Sequence, residues 1–133
     1  MTIKNLDTLL RPRSVAVVVD SEQPSQYAEI LLANLHSGGF NGTLATVRVK
    51  QRSVLSLGAR VRLSKTEGVI DLAIICCRHE LLAEIIQQLG ERGTRAVIIA
   101  ATLHDQLNNR DLARQRKAIL SAAQPYLMRI LGA

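Results

Sequence analysis

The sequence predicts an α/β fold: a mostly parallel, doubly wound sheet of five to six strands with helices on both faces. Three features carry that expectation. Short, almost wholly apolar runs recur along the 133 residues, as strands buried on both faces require. Longer stretches with apolar residues at helical spacing separate them. The two kinds alternate strand–helix–strand, and neighbouring parallel strands need such crossovers.

Leu6 to Arg13 reads as a short helical lead-in, stopped by Pro12 and lying against one edge of the sheet. Ser14–Val19 is the first strand. A polar turn, Asp20 to Pro24, leads to a stripe of Tyr27, Ile30, Leu31, Asn34 and Leu35, closed by Gly38 and Gly39. Thr43–Val49 is the second strand. The weaker segment with Leu55, Leu57, Val61 and Leu63 gives at most a short edge strand near Arg60–Arg62. Leu72–Cys77 is the strongest strand signal. Behind it Leu81, Leu82, Ile85, Ile86 and Leu89 make a face of period 3.6 that ends at Gly90 and Gly93. Ala96–Ala101 is the next strand, and a polar loop leads to a basic helix from about Asp111 to Ala123. Pro125 ends that helix, and Leu127–Leu131 is the last strand. Residues 1–133 thus read as a single Rossmann-like domain, with 1–13 as its lead-in and no repeats or linkers inside it.

Composition narrows the function. With 47% hydrophobic and 21% charged residues, the chain is not of a disordered type. No apolar run reaches the roughly 18–20 residues that cross a bilayer, and the start lacks the apolar core of a secretory signal. The expectation is a cytoplasmic protein with no membrane partner. The net charge of +6 comes from 13 Arg and 4 Lys against 11 acidic residues, and favours anionic partners. Tyr27, Phe40 and Tyr126 are the only aromatics, too few for recognition of nucleic acid by base stacking. The adjacent Cys76 and Cys77 form neither a disulfide framework nor a CxxC pair, and His36, His79 and His104 are scattered. No metal site is expected, and no Ser/His/Asp spacing suggests a catalytic residue.

Five pieces of the chain then fit one family in order. They are Leu10-Arg11-Pro12-Arg13-Ser14-Val15-Ala16-Val17-Val18, Asn34-Leu35 with Gly38-Gly39-Phe40-Asn41-Gly42, Ile70-Asp71-Leu72-Ala73-Ile74-Ile75, Gly90-Glu91-Arg92-Gly93, and Arg129-Ile130-Leu131-Gly132. Over essentially its whole length the chain resembles the N-terminal CoA-binding domain of NDP-forming acyl-CoA synthetases. That domain also occurs in succinyl-CoA synthetase alpha subunits and in protein lysine acetyltransferases with a synthetase-like half. The resemblance implies CoA or acyl-CoA held at the carboxyl ends of the parallel strands. It implies a binding module without catalysis of its own, since the family's phosphohistidine and nucleotide-grasp domains lie elsewhere, which leaves open whether the chain serves an enzyme. Implied partners are a CoA-type nucleotide and other domains or subunits of a synthetase-like protein.

Carried over by position, the resemblance implies cofactor contacts at Val19, Asp20, Ser21, Ser25, Arg48, Lys50, Cys77 and Arg78. Several of these depart from the family pattern. Its Gly-Ala-Ser reads Val19-Asp20-Ser21 here, and glycines near the first helix start read Ser25 and Ala28. Its Val-Asn-Pro-Lys reads Val47-Arg48-Val49-Lys50, and its Val-Pro reads Cys77-Arg78. Glycine lets backbone N–H groups approach a pyrophosphate, whereas a carboxylate at Asp20 repels one. Lys50 keeps the family's basic group, and Arg78 is placed to replace lost loop contacts with a bidentate grip on phosphate. Ser21 is a candidate both to cap the first main helix and to donate to a phosphate. Cys76 and Cys77 point to opposite faces of one strand, one packed in the core and the other, at the strand end, a candidate reactive thiol. The run Arg110, Arg114, Arg116, Lys117 reads as a solvated helix face or as a docking surface. Three functions follow: a CoA or acyl-CoA binding module, a degenerate CoA-binding fold with a structural or regulatory role, and a basic nucleic-acid-binding protein, the last favoured only by a pI near 10.0.

Overall fold

In the computed structural model, residues 6–22, 25–51, 61–100 and 109–132 are described. The elements follow the expected alternation. Helix α1 (Leu6–Leu10) precedes strand β1 (Ser14–Asp20), then come α2 (Gln26–Ser37), β2 (Thr43–Gln51), β3 (Val61–Leu63) and β4 (Leu72–Cys76). A 3-10 turn at His79–Leu81 runs into α3 (Leu82–Glu91), followed by β5 (Ala96–Ile99), α4 (Asn109–Ala123), a second 3-10 turn at Gln124–Tyr126, and β6 (Arg129–Leu131). The six strands form one sheet in the order β3-β2-β1-β4-β5-β6. All neighbours are parallel except β2 and β3, which pair antiparallel at the edge.

Alternation along each strand sorts the apolar residues onto two faces. Val15 and Val17 of β1 join Leu72, Ile74 and Cys76 of β4 beneath Ala28 of α2, with Leu31, Leu32 and Leu35 packed around them. Ala16 and Val18 face the other way, with Ala73 and Ile75, against Leu82, Ile85, Ile86 and Leu89 of α3 and Ile119 and Ala123 of α4. The chain therefore winds from β1 through α2 to β2 on one face, and from β4 through α3 and α4 to β5 and β6 on the other. The direction of winding reverses between β1 and β4, the place where open α/β sheets leave a crevice at their strand ends.

The two reversing strands are tied at their amino ends. Ser14 Oγ donates to the carbonyl of Val69 (3.1 Å) and accepts from the amide of Asp71 (2.9 Å), while the Arg13 amide donates to Asp71 Oδ2 (2.9 Å). Edge strand β3 is held by side chains of α3. Glu84 accepts from the Val61 amide, Gln88 donates to the Val61 carbonyl (2.9 Å), and the Arg92 guanidinium donates to the carbonyls of Leu63 and Ser64.

Several sequence expectations shift. The lead-in helix lies over the α2 face near β5, with Leu9 packed on that core, and not along a sheet edge. Strand β1 runs on through Asp20, because Val19 and Asp20 keep their register with Arg48 and Val49 of β2. Strand β5 ends at Ile99, and β6 starts only at Arg129, because Leu127 takes a left-handed conformation (φ 51°) at the close of the 3-10 turn. Leu55, Leu57 and Ala101 lie outside the described residues. Gly90 does not end α3. It is helical and buried, and any side chain there would run into the ring of Tyr126. Arg95 fixes that ring: its guanidinium lies 5.5 Å from the ring centroid and donates to the Gly90 carbonyl (2.9 Å).

Gly90→Ala should lower stability by about 1–3 kcal/mol, the usual cost of overpacking, measured by urea denaturation. In a Tyr126→Ala background the same change should cost much less. An equal loss in both backgrounds would place the cost elsewhere.

Candidate functional site

The carboxyl ends of β1 and β2 and the first turn of α2 enclose a cavity of about 430 Å³. Val19, Asp20, Ser21, Ser25, Thr46 and Arg48 line it, together with Ala28, Leu32 and the acidic Glu29 of α2. Each is placed by local structure. Val19 is a half-buried strand residue between Arg48 and Cys76 in the sheet register. Ser21 leaves the strand with its amide bonded to the Val49 carbonyl (3.0 Å). Ser25, in extended conformation, caps α2: its Oγ accepts from the Tyr27 amide (3.2 Å), and its carbonyl accepts from the Ala28 amide (3.2 Å). The helix cap is therefore Ser25 and not Ser21, which is exposed at the turn. Arg48 is anchored through its backbone, its amide donating to Ser64 Oγ (2.8 Å) and its carbonyl accepting from the Ser64 amide (2.9 Å). The side chain is exposed on the cavity wall.

Asp20 does not present an uncompensated charge to this cavity. Its side chain is 1% exposed, and Oδ2 accepts from Arg78 Nε at 2.6 Å. Oδ1 accepts from the Glu22 amide (3.0 Å) and lies 3.4 Å from Arg78 Nη2. The same guanidinium meets Glu22 Oε2 at 3.3 Å and Glu80 Oε1 at 3.7 Å. The hydrogen bond to Asp20 is the largest cause that raises the Arg78 pKa above its ordinary value. The simple repulsion expected of Asp20 is thus replaced by an ion pair across the ends of β1 and β4.

The structure brings together five of the eight sequence candidates, Val19, Asp20, Ser21, Ser25 and Arg48, with Arg78 joined to them through Asp20. Lys50 lies two residues beyond Arg48 on β2, exposed and opposite Arg62 of β3, and does not line the cavity. Cys77 is buried on the α3 side, its thiol 3.6 Å from the Val18 carbonyl. Burial, and after it the Asp20 charge, pushes its pKa up to about 12. Cys76 is raised too, by burial. Neither thiol is the reactive one expected at the strand end. Thr46 was missed, though it precedes Arg48 by two residues and so shares its strand face. Glu22 and Glu80 were missed as partners of Arg78, although each lies two residues from a member of the pair.

A second hollow of about 430 Å³ lies on the other flank of α2, lined by Tyr27, Ile30, Leu31, Asn34, Cys76 and Ile99 among others. Tyr27 is 66% exposed there and does not fill the first cavity. Among the described residues no group of three His, Cys, Asp or Glu could hold a metal, and no helix is long and apolar enough to cross a membrane.

Comparisons with known proteins agree with the fold. Residues 13–133 match the model of a family described as CoA binding domain. The chain is 24% identical over 132 residues to acetate–CoA ligase (ADP-forming) I subunit alpha of Pyrococcus furiosus, covering 96% of this chain and 28% of that one. It is 29% identical over 129 residues to a trans-feruloyl-CoA synthase from an unidentified prokaryote, covering 97% of this chain and 18% of the synthase. The solved apo structure of a dinucleotide-forming acetyl-coenzyme A synthetase 1 from Ca. Korarchaeum cryptofilum superposes with a TM-score of 0.71 at 25% identity, over 96% of this chain and 27% of that one. The chain spans under a third of the length of these relatives.

Both thiols should stay unalkylated by iodoacetamide in the native protein at pH 8 and react in denaturant, as mass spectrometry would show. The folded protein keeps the Cys77 proton that an unfolded chain releases above about 9. Native stability should therefore fall as pH rises from there toward 12. Rapid native labelling of either thiol would contradict the burial.

Proposed function

This chain belongs to the CoA binding domain family, and we propose that it binds CoA or acyl-CoA in the cavity at the ends of β1 and β2. The observation that carries this reading is the convergence on one hollow of Ser21, Ser25, the amino end of α2 and the Arg48 side chain. A helix amino terminus and an arginine both favour phosphate, the first through its dipole, the second through charge-assisted hydrogen bonds. In this reading Ser21 and Ser25 meet the pyrophosphate. Arg48 holds a phosphate oxygen, with Arg78 as a further cation beside the cavity and Lys50 farther out along β2. Val19 and Ala28 narrow the cavity where smaller residues would leave the backbone bare.

The module holds its ligand and leaves chemistry to other domains or subunits of a synthetase-like protein, as its share of the relatives' length suggests. The setting we propose is cytoplasmic. A second reading is a degenerate fold with a structural or regulatory role. It is favoured by one feature: Arg78 is already engaged by three carboxylates. Binding to nucleic acid has only the net charge behind it.

Calorimetric titration with CoA should give saturable binding with Kd below about 1 mM, equivalent to about 4 kcal/mol. Arg48→Met should weaken it about tenfold, the loss of a charge-assisted bond. No heat up to millimolar CoA would favour the degenerate reading. Tight binding to duplex DNA that falls steeply with salt would favour the third.

A further inference from the structure

The Asp20–Arg78 pair spans the two strands between which the sheet reverses its winding, Asp20 closing β1 and Arg78 standing two residues past the end of β4. Its geometry is side-on: Nε faces Oδ2 at 2.6 Å and Nη2 faces Oδ1 at 3.4 Å. Glu22 and Glu80 approach Nη2 and Nη1 at 3.3 and 3.7 Å. Every nitrogen of the guanidinium thus faces a carboxylate. A planar fork that takes two carboxylate oxygens side-on takes two phosphate oxygens by the same geometry. Arg78 is also the cation beside the cavity whose carboxylate partner is itself a cavity wall.

We propose that Asp20 is an internal stand-in for ligand phosphate, holding Arg78 in a binding-ready pose and competing with the phosphates of CoA for it. The inference rests on the CoA reading and adds what sets affinity at that site: one anion exchanged for another on a single arginine. It differs from plain repulsion between Asp20 and phosphate, which would act whether or not residue 78 is an arginine. In the exchange, the affinity seen is the intrinsic one reduced by the fraction of protein whose arginine is free. Glu22 and Glu80, 48% and 56% exposed, add to the hold from the solvent side.

The test is a double-mutant cycle read by CoA calorimetry: the native chain, Asp20→Asn, Arg78→Met, and both changes together, each checked by thermal melting. Asparagine keeps an oxygen for the Glu22 amide and loses the charge. If fewer than one arginine in ten is free in the native chain, Asp20→Asn should tighten CoA about tenfold or more. That gain should vanish in the Arg78→Met background. Equal affinities for the native chain and Asp20→Asn would overturn the exchange while leaving the CoA reading intact. A gain that persists without Arg78 would overturn it in favour of repulsion. If no protein in the cycle binds millimolar CoA, the CoA reading itself fails and takes the exchange with it. Should Asp20→Asn not fold, the pair Glu22→Gln and Glu80→Gln, both at exposed positions, should tighten CoA a few-fold, again only with Arg78 present. In the native chain the Arg78 Nε–H resonance should move as CoA is added, and a resonance that stays fixed through saturation would count against the exchange.

Discussion

The parallel pairing of β1 with β4 is the constraint on which the rest of the molecule depends. It joins the half wound through α2 to the half wound through α3 and α4 down the middle of the sheet. Both strands are apolar along almost their whole length, so each buries two faces and neither tolerates solvent. The seam is pinned at one end by Ser14 and Asp71 and at the other by Asp20 and Arg78. Winding reverses at this seam, and the cavity lies on its α2 side, between the ends of β1 and β2 and the first turn of α2.

That placement gives the site its electrostatics. The buried carboxylate of Asp20 is tolerable because a guanidinium and a backbone amide satisfy it. An ion pair of this kind is a weak source of net stability, since desolvation offsets much of the attraction. In the exchange proposed above, the pair keeps an arginine preorganised at a strand end. On the CoA reading proposed above, Ser25 and Arg48 supply by side chains part of what glycine-rich loops supply by backbone.

The strands and helices were legible in the sequence because burial on two faces leaves little choice of residue: Val15–Val18, Ala73–Ile75 and the Leu82–Leu89 stripe are all apolar where they must be. The family was legible from the same pieces in order. What failed were features fixed by a distant partner. Gly90 reads as a helix stop, but its missing side chain serves Tyr126, 36 positions later. Asp20 reads as a turn residue, yet sheet pairing with β2 extends the strand through it. Ser21 reads as the candidate cap until the backbone shows that Ser25 takes the extended conformation before the helix. Cys77 looks exposed at a strand end until α3 covers it. The ion pair joins residues 58 apart, a distance no local pattern crosses.

A crystal structure of the protein with CoA addresses the central claim most directly. The account predicts nucleotide phosphates within hydrogen-bond distance of Ser21, Ser25 and the Arg48 guanidinium, outside the β1 and β2 strand ends. Ligand seated instead in the hollow lined by Tyr27, Ile30 and Asn34, or along the basic face of α4, would contradict it.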